Sequence, residues 1–205
     1  MIKILLSTLL ALGFAYASEK KVGHCELSQI GDVKVGWSAY KTPAKLAVSG
    51  TFDEVAYRAV APKGINFHEI FVGSTISIDT KSVNSKNAGR DATLVASFFK
   101  QMSSTTIKAK ITEVKPDKRV KGKPKTGTWY ADITMNGVTK NVPMTYSYFE
   151  GTLVANGFID ILDFSASKAL ESINSSCFDL HKGKTWSDVA ISFTTGIKAV
   201  CFPGK

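Results

Sequence analysis

The feature that most constrains this chain is an alternation of apolar and polar residues with a period of two. Val33, Val35 and Trp37, for example, are separated by Lys34 and Gly36. This spacing places successive side chains on opposite faces of a β-strand, one against a core and one toward water. The same alternation recurs in eight segments, which are residues 33–39, 48–52, 76–78, 107–111, 131–135, 142–146, 157–161 and 189–193. We therefore predict eight strands.

Tight turns between these segments predict how the strands are connected. Asn136-Gly137 separates two alternating runs and is typical of a β-hairpin. Most of the segments follow one another without an intervening helix, which indicates an antiparallel meander. About eight such strands can close on themselves, and closure removes exposed sheet edges. The sequence therefore predicts an all-β fold with an eight-stranded antiparallel barrel.

Two short stretches have a helical spacing instead and are predicted to lie over the mouth or side of the barrel. The first starts at Asp91, a candidate N-cap, and its apolar residues are Leu94, Val95, Phe98 and Phe99. The second starts at Ser165, and its apolar face holds Ala166, Ala169, Leu170 and Ile173. The fold class is thus all-β with two short helices.

The first 17 residues have the pattern of a secretory signal peptide. Lys3 precedes an apolar run over residues 4–14, and Ala15 and Ala17 are small residues at the positions that signal peptidase inspects. The apolar run is too short to cross a bilayer as a helix. Residues 18–205 then form one domain, since 205 residues with 44% hydrophobic content suit a single buried core. We expect a periplasmic or secreted protein.

The net charge of +9 at pH 7 raises the question of an anionic partner. The densest basic run, residues 115–125, holds six Lys and Arg side chains, and its prolines and glycine predict a solvated loop between two strands. Transient contact with an anionic membrane surface is the functional alternative. No nucleic acid partner is expected, because an exported protein meets little of it.

The three cysteines, Cys25, Cys177 and Cys201, suit an oxidising compartment but are odd in number. One disulfide and one free thiol is the simplest arrangement, and the pairing stays open. A metal site built from His24, Cys25, Cys177 and His181 is an alternative, with loose spacing. We favour the disulfide and predict no metal.

Catalysis requires a constellation of side chains, and none stands out in this sequence. The three histidines, His24, His68 and His181, lie in different segments, and no nucleophile or metal-binding motif frames any of them. The acidic pairs Asp53-Glu54 and Asp160/Asp163 are typical of solvated loops and strand ends. We therefore predict a protein that is not an enzyme.

Three motifs, in the right order, resemble the YceI family of exported lipid-binding proteins. Residues 78–94 resemble its Thr-x-Ser-Val strand end, which leads into Asn-x-x-Arg-Asp and an apolar helix. Residues 135–142 match its Asn-Gly-Val-Thr-Lys hairpin, and residues 48–53 match its second strand. The likeness spans residues 33–195. Thr93 stands where the family usually has His, and residues 175–186 extend a region at the pocket mouth.

This resemblance implies a lipocalin-like barrel with one long apolar cavity and no catalytic residues. The implied ligand is a polyisoprenoid, an isoprenoid quinone or a fatty-acyl amide, held as a carrier or storage protein holds it. A homodimer is also compatible with the family. No cofactor is expected beyond such a bound lipid.

The predicted cavity wall combines small and large inward-facing residues. An eight-stranded barrel is just wide enough to fill itself with side chains or to hold one slim ligand, and the size of these residues decides between them. The candidate lining residues are Val35, Trp37, Ala39, Gly50, Phe52, Ile76, Ile78, Leu94, Phe98, Ile133, Met135, Met144 and Ile159. Arg90 and Asp91 are candidates for head-group contact at the entrance, or for a structural role at a helix start.

Two other classes of protein share parts of this pattern. A small outer-membrane β-barrel has a signal peptide and alternating strands, but its outward band must be apolar. Here the outward positions carry charges such as Lys34, Lys108 and Asp132. An exported protein-binding module, acting through loops such as residues 56–67, is the other alternative.

Overall fold

The computed structural model describes residues 23–204, and the predicted signal peptide over residues 1–17 lies outside this range. The strands are β1 (His24–Lys41), β2 (Leu46–Phe52), β3 (Val55–Arg58), β4 (Thr75–Asp79), β5 (Val83–Asn84), β6 (Thr106–Pro116), β7 (Lys125–Met135), β8 (Val138–Phe149), β9 (Thr152–Asp160) and β10 (Thr185–Phe202). The α-helices are α1 (Phe67–Phe71), α2 (Ala88–Ser97), α3 (Ser167–Ser176) and α4 (Phe178–His181). Within residues 23–204, no helix combines the length and the hydropathy needed to cross a bilayer.

All strands belong to one curled antiparallel sheet in the order β3-β4-β6-β7-β8-β9-β10-β1-β2-β5. The two ends of this sheet are joined by the chain itself. The Asp53 N–H donates to the Ser82 carbonyl (2.9 Å) and the Asp79 N–H donates to the Glu54 carbonyl (3.3 Å), so hydrogen bonding continues between β2/β5 and β3/β4. β3 follows β2 after a bend, and β5 follows β4 after one 3₁₀ turn (Thr80–Ser82), so the sheet closes into a barrel.

The predicted all-β antiparallel barrel is confirmed, but the sheet has ten strand segments instead of the predicted eight. The two segments missing from the prediction are β3 and β5. They have four and two residues, too few for an alternation to be recognised. Both continue predicted strands beyond a bend, so they lengthen the barrel wall without changing its topology.

The predicted hairpin at Asn136-Gly137 joins β7 and β8 directly, with Met135 opposite Val138. Both turn residues have positive φ angles, 51° and 79°, which a two-residue hairpin of this kind requires and which Asn and Gly tolerate best. The Asn136 side chain also donates to the carbonyls of Phe164 and Ser165, each at 3.0 Å. This turn therefore anchors the chain that leads into α3.

The two predicted helices correspond to α2 and α3, but the predicted N-cap is wrong. Asn87, not Asp91, caps α2, since the Asn87 side chain accepts from the Arg90 N–H at 2.9 Å. Asp91 lies in the first turn and accepts from the Ser85 N–H instead. The other two helices, α1 and α4, were not predicted, because five and four residues are too few to show a helical period.

One half of the barrel is filled by aromatic side chains. Phe71 of α1 lies inside the wall with its ring centroid 4.8 Å from that of Trp129, and Trp129 lies 4.9 Å from Phe193. Tyr57 of β3 packs on Phe193 of β10, with ring centroids 6.2 Å apart. Phe71 is fully buried and Trp129 is 2% exposed. We call Tyr57, Phe71, Trp129 and Phe193 the aromatic plug, and its rings occupy the interior of this half of the barrel.

Candidate functional site

The other half of the barrel holds a cavity of about 460 Å³. Its walls are the ends of the strands near the β7–β8 hairpin, and α2, α3 and α4 cover it. The Ser176 hydroxyl of α3 donates to the Ser97 hydroxyl of α2 at 2.8 Å, which holds two of these helices together. The lining is predominantly apolar, and the volume lies within the range of small-molecule binding sites.

A second recess of about 490 Å³ lies at the opposite end, between α1 and the basic loop over residues 117–124. Its rim includes Asp117, Lys118 and Arg119, all exposed. A slim apolar chain fits the first cavity better, because a larger share of its wall is apolar than in the second recess.

Eight of the predicted site residues lie around the first cavity. They are Trp37, Ala39, Phe52, Arg90, Leu94, Phe98, Met135 and Ile159. The others lie outside its lining, and these are Val35, Gly50, Ile76, Ile78, Asp91, Ile133 and Met144. Of this second group, the four large residues Ile76, Ile78, Ile133 and Met144 belong to the packed core. Periodicity identifies which face of a strand points inward. It does not identify the position along the barrel axis at which the packed core ends and the cavity begins.

The inward glycines make room for neighbouring side chains rather than for a ligand. A Cβ atom on Gly50 would lie 2.6 Å from the Trp37 ring, and one on Gly157 would lie 2.8 Å from the Met144 side chain. Such distances are far below van der Waals contact. Gly50 therefore accommodates the indole that forms part of the cavity wall, and Gly157 accommodates a core methionine.

Five residues at the rim near α4 belong to the lining and were not predicted as cavity residues, although Cys177 was predicted as a disulfide candidate. They are Lys41, Cys177, His181, Thr185 and Trp186. The extension over residues 175–186 was the sequence signal for this part of the site, because it adds α4 and the start of β10 at the mouth. The sequence does not show that this extension forms part of the cavity wall, because that depends on the packing of α4 near the end of β1.

A hydrogen-bond chain fixes the orientation of His181 at this rim. The Thr185 hydroxyl donates to Asn174 Oδ1 at 2.9 Å, so it accepts from His181 Nδ1 at 2.7 Å. The neutral imidazole thus carries its proton on Nδ1, and Nε2 is an acceptor. Burial, and secondarily the charge of Lys41, lower the pKa of His181. Burial raises the pKa of the Cys177 thiol, against a smaller lowering by Lys41.

Arg90 and Asp91 are linked through Ser85. Arg90 Nε donates to the Ser85 hydroxyl at 2.7 Å and Nη2 donates to the Ser85 carbonyl at 2.8 Å. The Ser85 hydroxyl in turn donates to Asp91 Oδ1. These contacts attach the start of α2 to the end of β5. Of the two residues, Arg90 lines the cavity and Asp91 does not. Thr93, where the resembling family has His, also lines the cavity, and its hydroxyl donates to the Gly89 carbonyl.

The cysteine pairing left open by the sequence is Cys25 with Cys201, while Cys177 is a free thiol at the cavity. The bonded cysteines are register partners at the ends of β1 and β10. The alternative metal site is wrong, because the Cys25 sulfur is in the disulfide. Among residues 23–204 no three Cys, His, Asp or Glu side chains cluster in a way that suits a metal ion.

Comparison with known proteins shows which other proteins have this architecture. Residues 29–197 match the family model of the YceI-like domain. The polyisoprenoid binding domain of Saccharophagus degradans superposes with a TM-score of 0.57 at 13% identity, over 86% of this chain and 98% of that one. BcnA of Burkholderia cenocepacia superposes with a TM-score of 0.54 at 14% identity, over 81% and 96% of the two chains. No curated protein matches the chain significantly. The family match covers most of the chain and these structures share its fold, so the protein belongs to the YceI-like family.

Proposed function

We propose that this protein is an exported, non-enzymatic carrier or storage protein that binds one long apolar chain inside its barrel. The observation that carries the proposal is the division of the barrel interior. The aromatic plug fills one half, and a cavity of about 460 Å³ with mostly apolar walls occupies the other. A cavity of this kind binds an alkyl or isoprenyl chain by removing apolar surface from water.

The cavity volume limits the length of the bound chain. A cavity of about 150 Å³ accommodates benzene, so about three times that volume accommodates on the order of 18 carbon atoms. At about 0.8 kcal/mol per buried methylene, such a chain gains roughly 14 kcal/mol before the losses from ordering. A C16–C18 acyl chain or a short isoprenoid fits entirely, whereas a longer polyisoprenoid must extend through the mouth.

Two further observations support this proposal. A structure with the same fold is a polyisoprenoid binding domain, which agrees with an isoprenoid or other lipid ligand. The Cys25–Cys201 disulfide agrees with an oxidising compartment, and hence with export of the chain. A binding role is favoured over catalysis because the cavity wall is mostly apolar and a structure with the same fold is a binding domain.

The basic loop and the cavity mouth lie at opposite ends of the barrel. Ile107 lines the cavity, whereas Pro116 of the same strand leads into the loop. Nine residues of extended strand span about 30 Å. An anionic membrane that contacts the loop would therefore face the end that the aromatic plug fills. Contact with such a membrane, and a homodimer, both stay predictions.

The proposal is tested by native mass spectrometry of the full chain purified from its own host. We expect the protein to carry an extra mass of a few hundred daltons that organic solvent releases. A bare chain with a tightly bound protein partner would favour the protein-binding module. Recovery of the protein only from detergent-extracted membranes would favour the outer-membrane barrel, against which exposed outward residues such as Lys34, Lys108 and Lys110 argue.

A further inference from the structure

The charged residues that line the cavity are all of one sign. Lys41 at the end of β1 and Arg90 in α2 are the cationic lining residues, and no Asp or Glu of the described chain contributes to the lining. A site for a purely hydrocarbon ligand needs no charge, and a charge on its wall loses contact with water when an uncharged chain covers it. Two cations on an otherwise mostly apolar wall therefore indicate a ligand with a complementary group.

Three carboxylates near the cavity already have other partners. Asp188 pairs with Lys45 at 2.8 Å, and Asp91 accepts from the N–H and hydroxyl of Ser85. Asp160 accepts from the Leu162 N–H and the Ser187 hydroxyl. Within residues 23–204, neither Lys41 nor Arg90 forms an ion pair. The two cationic lining residues are thus not neutralised by direct contact with a protein carboxylate.

The positions of the two cations suit contact with a ligand head group. Lys41 is half-buried, and its charge acts on both Cys177 and His181, which also line the cavity. Arg90 is held rigidly by its two hydrogen bonds to Ser85, which leave three of its five N–H donors available. Two other basic side chains near this rim, Lys45 and Lys184, both lie over the Trp186 ring.

We propose that the ligand of this cavity is an anionic amphiphile, whose apolar chain occupies the barrel and whose carboxylate or phosphate head contacts Lys41 and Arg90. This inference rests on the proposed function and adds the chemical class of the head group. A free fatty acid and a long-chain alkyl or isoprenyl phosphate both have this chemistry. They differ in charge and in the number of acceptor oxygens, so their affinities distinguish them.

The test compares three ligands with the same C16 chain: hexadecanol, hexadecanoate and hexadecyl phosphate. Binding to the full mature chain at pH 7.5 is followed by tryptophan fluorescence, because Trp37 and Trp186 line the cavity. We expect hexadecanoate or hexadecyl phosphate to bind at least about tenfold more tightly than hexadecanol, as a charge-assisted hydrogen bond provides. The anion that binds with the higher affinity indicates whether the natural head group is a carboxylate or a phosphate.

Variants assign this preference to the two residues. Lys41→Met keeps the apolar stem and removes the charge, and we expect it to lower the anion-to-alcohol affinity ratio by about tenfold. Arg90→Gln is the second variant, in case the first fails to fold. Lys140→Met is the matched control, since Lys140 is exposed on β8 and lies outside the cavity lining, and it should keep the ratio.

The outcomes separate this inference from the proposed function. Equal affinities for the alcohol and both anions would overturn the inference and leave lipid binding intact. An anion preference that survives in both the Lys41 and the Arg90 variants would overturn the assignment of the site. Failure of all three ligands to bind would overturn the proposed function itself.

Discussion

Ala39 offers a direct way to shorten the cavity from within. It lies on β1 with its side chain on the lining, and its register partners Val48 and Val189 line the same wall. Ala39→Phe adds an aromatic ring to the interior without adding a charge or a hydrogen-bonding group. The ring must point into the cavity, because the neighbouring positions on both sides are occupied by the strands themselves.

The expected effect follows from the volume of the added ring. A ring the size of benzene needs about 150 Å³, which is roughly a third of the 460 Å³ available. It therefore excludes about six carbons of the ligand chain, which at about 0.8 kcal/mol each amount to roughly 5 kcal/mol. This loss corresponds to a reduction in affinity of about three orders of magnitude for a C16–C18 chain. A chain shorter by six carbons should lose little.

The assay is the affinity of a chain-length series from C8 to C20 with a constant head group, measured by tryptophan fluorescence. We expect the optimum to move from about C16–C18 in the wild type to about C10–C12 in Ala39→Phe. Ala47→Phe is the matched control, since Ala47 is exposed on β2 next to the lining residue Val48. An unchanged optimum in a folded Ala39→Phe protein would show that the chain does not pass this position.

Three further predictions concern stability and its dependence on pH. Trp129→Ala removes the centre of the aromatic plug and should lower the free energy of unfolding by about 3–5 kcal/mol in urea melts; a loss below 1 kcal/mol would mean that the plug adds little. Replacing Cys25 and Cys201 by Ser opens a covalent loop with a sequence separation of 176 and should cost about 2–5 kcal/mol in the same melts, with no loss contradicting the bond. Because burial and the Lys41 charge lower the pKa of His181 from 6.5, the unfolded chain takes up this proton first, and stability falls as the pH drops from 6.5 toward the folded pKa. His181→Gln should remove this part of the decline between pH 7.5 and 5.5, and an unchanged slope would refute it.

Local sequence patterns were sufficient for the elements that repeat. The period-two alternation predicted the eight long strands, and the hairpin at Asn136-Gly137 followed from the backbone preferences of two adjacent residues. These signals are local, since strand faces and turn angles depend on residues that are neighbours in the chain. The strand segments β3 and β5 and the helices α1 and α4 were missed because two to five residues do not complete a recognisable period.

The site was predicted less completely than the barrel that holds it. Eight of the proposed residues line the cavity, among them Trp37, Ala39 and Leu94, because their inward orientation could be read from the spacing. Gly50 was predicted to line the cavity, although the Trp37 ring occupies the space beside it. Lys41 and His181 were missed as lining residues because they come from the ends of different elements, which meet only after α4 packs at the mouth.

Which side chains face inward was thus encoded in the order of the residues, because pleating alternates from each residue to the next. Whether the interior is solid or hollow was not, because it depends on contacts between residues far apart in the chain. Phe71, Trp129 and Phe193 meet across more than a hundred positions and fill one half of the barrel. The Cys25–Cys201 bond likewise follows from the register of β1 against β10. Distances between such residues are set by the closure of the sheet, and closure is a property of the whole chain.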